Sequence, residues 1–303
     1  MSTPLYTVAL DLGGTDLKSA RIGRSGEVLE FARVPSRAAE SAEALFATLV
    51  SAARPWLPAA AVGIGCPGVI DPSTGALVDE TPHLALPPDF PLASELGREL
   101  RAHVAADNDA NCAAFAEHVA GAARGARVSI TITVGTGIGC GIVVDGRVLR
   151  GAWGGAGEIS HMGQRSAGPP CKCGVEGCAE TVSGGEGLVN RARAEGLMAR
   201  GARDVFEAAA GGHAIARRLV AEMTDALGHQ VACAVQVVNP DVVVFGGGIA
   251  NAGDALLVPV VAAIQRYAQH SHTRRLRIVP AALGDRAGVV GAGLLAWENA
   301  AGD

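Results

Sequence analysis

Short apolar runs alternate along this chain with longer stretches in which apolar residues recur at helical spacing. Residues 6–10 (YTVAL) and 17–22 flank a turn, Asp11-Leu12-Gly13-Gly14-Thr15, and read as a β-hairpin. Residues 38–53 carry apolar residues and alanines at helical positions, closed by Pro55. A buried strand at 60–69 (AAVGIGCPGV) runs into a Cys66-Pro67-Gly68 turn; a loop at 81–91, a helix at 92–103 and a short strand at 104–106 follow. A helical pattern covers 112–123. Strands at 128–134 and 140–144 then flank Gly135-Thr136-Gly137, and Asp145-Gly146 closes a further hairpin. Helical patterns return at 184–200, 205–210 and 213–238, the last ended by Asn239-Pro240. The strand 242–245 leads directly into Gly246-Gly247-Gly248. A helix at 255–268 with Asp254 as its N-cap, a strand at 276–280, a loop at 284–288 and a closing helix from 289 complete the pattern. The alternation gives an α/β protein. The second glycine turn repeats the plan of the first, and such turns aim backbone N–H groups at an anion such as phosphate, so the chain reads as a duplication whose two lobes face each other across a nucleotide.

Composition narrows this picture. A chain of 303 residues fits two lobes of about 100–200 residues each. The net charge of −5, without any basic run, argues against a nucleic-acid surface. No apolar run approaches the roughly 20 residues that span a bilayer, and no basic leader precedes an apolar core, so a soluble cytoplasmic protein is expected. Of seven cysteines, Cys171, Cys173 and Cys178 are clustered, whereas Cys66, Cys112, Cys140 and Cys233 stand alone in apolar or glycine-rich surroundings. That is not a disulfide framework, and the isolated four read as small buried residues.

Three stretches carry candidate chemistry. In the first hairpin, Gly13 and Gly14 let backbone N–H groups approach an anion, Thr15 adds a hydroxyl, and Asp11 can hold a hydrated Mg²⁺ beside a phosphate. Lys18 reads equally as a phosphate contact or a solvated strand residue. At the end of the strand 104–106, Asp107, Asn108, Asp109 and Asn111 crowd into five positions; one is an N-cap, and the rest exceed what a cap needs. The third stretch, 157–180, holds His161, Cys171, Cys173 and Cys178, a donor set that closes a tetrahedral zinc site with no open position. Glu158 and His161 are three residues apart and share one face of a helical turn; Glu180 stands at the far edge. Lys172 lies between two of the expected zinc ligands, where its charge offsets the thiolates.

Together DLGGTDLK, CPGVID, DNDANCAAFAE, VGTGIGCGIVVDGRVLRGAWGGAGEISH, CKCGVEGC, NPDVVVFGGGI and GDRAGVVGAG resemble the motifs of ROK-family sugar kinases over almost the whole chain. The resemblance implies an actin-like ATPase (ribonuclease H-like) fold, with two α/β lobes and a cleft that closes around sugar and ATP. The expected division is 1–108, with the closing helix 289–303 packing back on it, and 109–288. It implies ATP-dependent phosphorylation of a hexose at its 6-hydroxyl, with Asp109 as general base. Gly68, Asn108, Asp109, Glu158, His161 and Glu180 would line the sugar site. Asp11, Gly13, Gly14 and Thr15, with Gly135, Thr136 and Gly137, would face the phosphates and Mg²⁺, and Gly247 and Gly248 would flank the adenosine. Zinc would be structural: with one His161 nitrogen bound to metal, the other carries hydrogen and can donate to a sugar hydroxyl.

Relatives of this kind commonly have glycine where this chain has Ser160, and asparagine near His83, so the hexose stays open between glucose, mannose, N-acetylmannosamine, fructose and allose. The family also contains sugar-responsive repressors with an added N-terminal helix-turn-helix. Here the hairpin begins at Tyr6, which leaves the expectation that no such domain precedes it. A non-catalytic sugar sensor is disfavoured by Asp11, Asp109 and the second turn. Polyphosphate is disfavoured as donor because members using it generally lack the zinc element. A homo-oligomer, dimer or tetramer, is the family expectation.

Overall fold

The computed structural model describes residues 5–81, 84–163 and 169–300; His83 lies outside the described residues. The first sheet is built from β1 (Thr7–Leu12), β2 (Asp16–Ile22), β3 (Val28–Pro35), β4 (Val62–Cys66) and β5 (Val104–Asn108), with α1 (Ala42–Ala53) between β3 and β4 and α2 (Leu92–Leu100) before β5. Its order is β3-β2-β1-β4-β5, with the first three antiparallel and β1, β4 and β5 parallel. The hairpin read at 6–22 is therefore β1–β2, with Leu12 opposite Leu17. Strand β3 carries no period-2 apolar signal because, at the sheet edge, it mixes charged and apolar residues on half-exposed faces. Helix α1 starts later than its apolar spacing suggests, since Ser41 Oγ accepts the Ala44 N–H and caps it there.

After α3 (Asp109–Ala120) come β6 (Val128–Val134), β7 (Ile138–Val144) and β8 (Arg147–Val148), then α4 (Glu180–Ser183), α5 (Gly185–Ala194), α6 (Ala202–Ala210) and α7 (Ala214–Val238). The chain closes with β9 (Val242–Gly246), α8 (Asp254–Tyr267), α9 (His270–Thr273), β10 (Arg277–Pro280) and α10 (Ala287–Ala300). The second sheet has the order β10-β9-β6-β7-β8. Advancing every strand of the first sheet by five reproduces this order, so the repeat read from the glycine turns extends to the whole sheet. Asp254 is the first residue of α8 and not its cap; Gly253 occupies that position without any side-chain bond.

The chain divides into two units: Met1–Gly125 with Gly141–Gly157 and Ala282–Asp303, and Ala126–Cys140 with Glu158–Ala281. The division expected after 108 falls later because α3 packs with α10 in the first unit. The buried Glu117 near the end of α3 reinforces this: its carboxylate accepts the N–H groups of Ala122, Ala282 and Leu283 at 2.7, 3.1 and 2.8 Å.

In the first unit the pleat sorts residues by size. Val8, Leu10 and Leu12 face a core completed by Leu45, Leu49, Leu92 and Leu96 of α1 and α2. Ala9 and Ala20 face the other way, toward Cys112 of α3 and Val289 and Val290 of α10. Small residues there allow close approach of the helices: a Cβ on Gly291 would lie 1.7 Å from the Cys112 carbonyl oxygen. Trp297 Nε1 donates to Ile22 O at 3.2 Å, and Thr7 Oγ1 to Gly293 O at 2.9 Å, fixing α10 along the sheet. Among the described residues, no helix is long and apolar enough to cross a membrane.

Candidate functional site

In the first unit the C-terminal ends of the three parallel strands gather the carboxylates. Asp11, Gly65 and Asp107 lie in one register row across β1, β4 and β5. Gly65 has no side chain because α3 begins directly over it: a Cβ there would stand 2.9 Å from Cys112 Sγ and 3.6 Å from Asp109 Cα. Asp11 and Asp109 therefore flank the same glycine. Burial pushes the Cys112 thiol well above its ordinary range, and the negative charges of Asp107, Asp11 and Asp109 add to this. Cys66 is raised in the same way, by burial and then by Asp109 and Asp107.

The crowded polar sequence at 107–111 separates into distinct roles. Asn108 is the N-cap of α3: its Oδ1 accepts the N–H groups of Ala110 and Asn111, and its Nδ2 donates to Gly68 O at 3.1 Å. Asp107 is buried; Oδ1 accepts from Asn108 N–H and Asn111 Nδ2, and Oδ2 from the Arg150 guanidinium at 2.8 and 2.7 Å. Asp109 begins the helix, half-buried, with Oδ1 accepting the N–H of Ala110 at 2.8 Å. Arg150 had no signal in the sequence, since its partner is 43 residues away. Gly68, at φ 99°, brings its carbonyl to Asn108 in a conformation that favours glycine.

The first hairpin turn is exposed at Gly14 and Thr15, and a Cβ on Gly14 would meet nothing within 4 Å. Gly13 N–H is used within the turn, donating to Asp16 O at 2.9 Å. Of the two readings of Lys18, solvation is set aside: Nζ is 2.9 Å from Asp11 Oδ2, with the lysine side chain 20% exposed. Asp11 is also crowded by α10, since a Cβ on Gly288 would lie 2.7 Å from its carboxylate.

In the second unit, Glu158 precedes a 3₁₀ turn, Ile159–His161, and the His161 N–H donates to its carbonyl at 3.2 Å. This places Glu158 and His161 on one face. His161 Nδ1 is 3.7 Å from Cys171 Sγ, and Nε2 is 3.6 Å from Glu158 Oε2. Burial pushes the Glu158 carboxyl above the usual range; His161 pulls it back and Glu180 pushes it further. Ser160, between Glu158 and His161 in the chain, is buried, and its hydroxyl has no hydrogen-bond partner among the described residues.

The four expected metal donors converge: the ligand atoms of His161, Cys171, Cys173 and Cys178 all lie within 4.8 Å of one another. Cys173 and Cys178 sulfurs are 3.5 Å apart, and all three cysteines are free thiols. With zinc–sulfur bonds of about 2.3 Å, sulfurs at tetrahedral corners stand roughly 3.8 Å apart, so this soft donor set fits zinc. Lys172 is engaged with Glu186 at 2.7 and 2.8 Å, a partner 14 residues away that local pattern gives no sign of.

The second glycine turn lies in the same unit. Gly135 N–H donates to Gly137 O at 2.9 Å, and Thr136 is exposed. Glu180 Oε2 accepts the Ile138 N–H at 2.9 Å, so this carboxylate sits against the turn. Gly247, at φ 86°, leaves no room for a side chain, since a Cβ would be 2.5 Å from Val134 O; Gly248 is exposed and open. The isolated cysteines are largely as expected: Cys66, Cys112 and Cys140 are buried and Cys233 partly so.

The ROK family profile matches residues 7–299. Among characterised relatives, the chain is 34% identical to a glucokinase of Halalkalibacterium halodurans, over 97% of this chain and 96% of that one. It is 35% identical to an N-acetylmannosamine kinase of Citrobacter koseri, over 96% and 99%. The structure is similar to a ROK hexokinase from Thermus thermophilus, with a TM-score of 0.85 and 34% identity over 98% of this chain and 100% of the other. It is also similar to a ROK glucokinase from Streptomyces griseus in complex with glucose and AMPPNP, with a TM-score of 0.84 and 28% identity over 97% and 99%.

Proposed function

Because this chain belongs to the ROK family and has its actin-like ATPase fold, we propose that it transfers the γ-phosphoryl group of ATP to the 6-hydroxyl of a hexose, with glucose as the leading substrate. The observation that carries this reading is the pairing of Asp11 and Asp109 around Gly65 at the C-terminal ends of three parallel strands. Open α/β sheets bind ligands at such ends. A carboxylate at a strand end, as Asp109 is, suits the general base for a hydroxyl that attacks phosphorus. Asp11, with Gly13, Gly14 and Thr15, would hold Mg²⁺ and the phosphates, the metal neutralising charge on the transferred group. Gly135, Thr136 and Gly137 would face nucleotide phosphate and Gly247 and Gly248 the adenosine. The work left to the protein is positioning and electrostatics.

For the sugar, the reading assigns Gly68, Asn108, Glu158, His161 and Glu180. Glu158 and Glu180 accept from hydroxyls. His161, with Nδ1 turned to the cysteines, offers Nε2–H as a donor. Zinc held by His161, Cys171, Cys173 and Cys178 would be structural and would fix the ring's orientation. A kinase for N-acetylmannosamine is the second reading, supported by the similarity to such an enzyme at 35% identity. A coupled assay with ATP, Mg²⁺ and a panel of hexoses tests both. Turnover highest with glucose supports the first, and highest with N-acetylmannosamine the second. No turnover of any sugar by zinc-loaded protein would overturn the kinase reading.

A further inference from the structure

The second glycine turn is held by the segment that follows the cysteine cluster. Gly185 N–H donates to Gly135 O at 3.0 Å and Glu186 N–H to Thr136 O at 2.9 Å. Glu180 Oε2 takes the Ile138 N–H at 2.9 Å. The fit is close: a Cβ on Gly137 would stand 2.4 Å from Glu180 Oε2, so a side chain there would push the carboxylate aside. The same segment is tied to the cysteine cluster at two points. Glu180 follows Cys178 by two residues, and Glu186 pairs with Lys172, which stands between Cys171 and Cys173.

A carboxylate that only bound sugar would not need its oxygen against the phosphate-facing turn. We propose that Glu180 is a positioning residue for the turn 135–137, its Oε2 fixing the direction in which that turn presents its backbone to a nucleotide phosphate. Its Oε1 accepts no hydrogen bond from the described residues, which leaves that oxygen for a hexose hydroxyl. One side chain thereby supports the turn and faces the sugar, so nucleotide binding depends on it even when no sugar is present. The inference rests on the reading of the turn as a phosphate site.

The test is calorimetric binding of AMPPNP with Mg²⁺ to sugar-free protein. Glu180→Ala is expected to weaken binding about tenfold or more, the scale of a lost hydrogen bond to a charged group. Glu180→Gln, whose carbonyl can still accept the Ile138 N–H, should stay within about threefold of wild type. Should the alanine variant fail to fold, Glu180→Asp carries the test, because it keeps the charge and shortens the reach by one methylene. Amide exchange at Ile138 should quicken in the alanine or aspartate variant and not in the glutamine one. Wild-type affinity in the folded alanine or aspartate variant would overturn the inference while leaving the kinase reading intact. Wild-type protein that binds no AMPPNP would overturn the phosphate reading and the inference with it.

Discussion

His161 Nε2 stands 3.6 Å from Glu158 Oε2, while the ring's other nitrogen faces the Cys171 sulfur. A metal on Nδ1 leaves Nε2 protonated, so the ring becomes a fixed donor beside a fixed acceptor. His161→Ala is therefore expected to weaken hexose binding about tenfold or more, with a much smaller effect on nucleotide binding, since it removes the proposed sugar contact and one of the four proposed metal ligands. Titration calorimetry with each ligand separately checks this, and equal losses would count against it. Metal analysis should find one zinc per wild-type chain, and chelation should lower the melting temperature.

Asp109→Asn preserves shape and the acceptor for Ala110 N–H but removes the carboxylate proposed as general base. Turnover should fall by roughly 10²–10⁴, the usual range for lost general-base catalysis, with hexose affinity nearly unchanged. Steady-state rates beside equilibrium hexose binding separate the two. Turnover within a few-fold of wild type would remove Asp109 from the chemistry.

Arg150→Ala leaves the buried Asp107 carboxylate without its cation, and Asp107 fixes Asn108 and Asn111 at the start of α3. A loss of about 1–3 kcal/mol is expected, less than for a fully buried pair because the guanidinium is partly exposed. Urea denaturation measures it; an unchanged midpoint would mean that the ion pair is dispensable.

Burial pushes the Cys140 thiol from 9.0 up to about 12, with the charge of Glu158 adding to the shift. A raised folded value means that folded Cys140 keeps its proton where the unfolded chain loses it. Its contribution to stability is complete below pH 9 and lost as pH rises toward 12. The melting temperature of Cys140→Ser relative to wild type should be flat below pH 9 and rise above it. With alkylating reagent at pH 8, native protein should be modified little at Cys66, Cys112 and Cys140, and chelated protein first at the exposed Cys173, as read by mass spectrometry.

Much of this molecule could be read from local pattern. The hairpin around Gly13 and Gly14, the strand 128–134, the long helix before Asn239-Pro240 and the donor set of His161, Cys171, Cys173 and Cys178 all depend on residues close together in the chain. The strand β3 was missed because an edge strand needs no apolar alternation. The N-cap at 107–111 was expected but could not be assigned to one residue, because four side chains competed for it.

What the sequence determined alone is the family, the alternation of strands and helices, and the chemistry available at each turn, since those follow from residue type and short spacing. Tertiary structure decided the partners. It gave Lys18 to Asp11, Arg150 to Asp107, Lys172 to Glu186 and Glu180 to Ile138. Of these only the pair within the β1–β2 hairpin is close in sequence. A charged side chain takes whichever partner the packing of distant elements brings within reach, and that packing is a property of the whole fold.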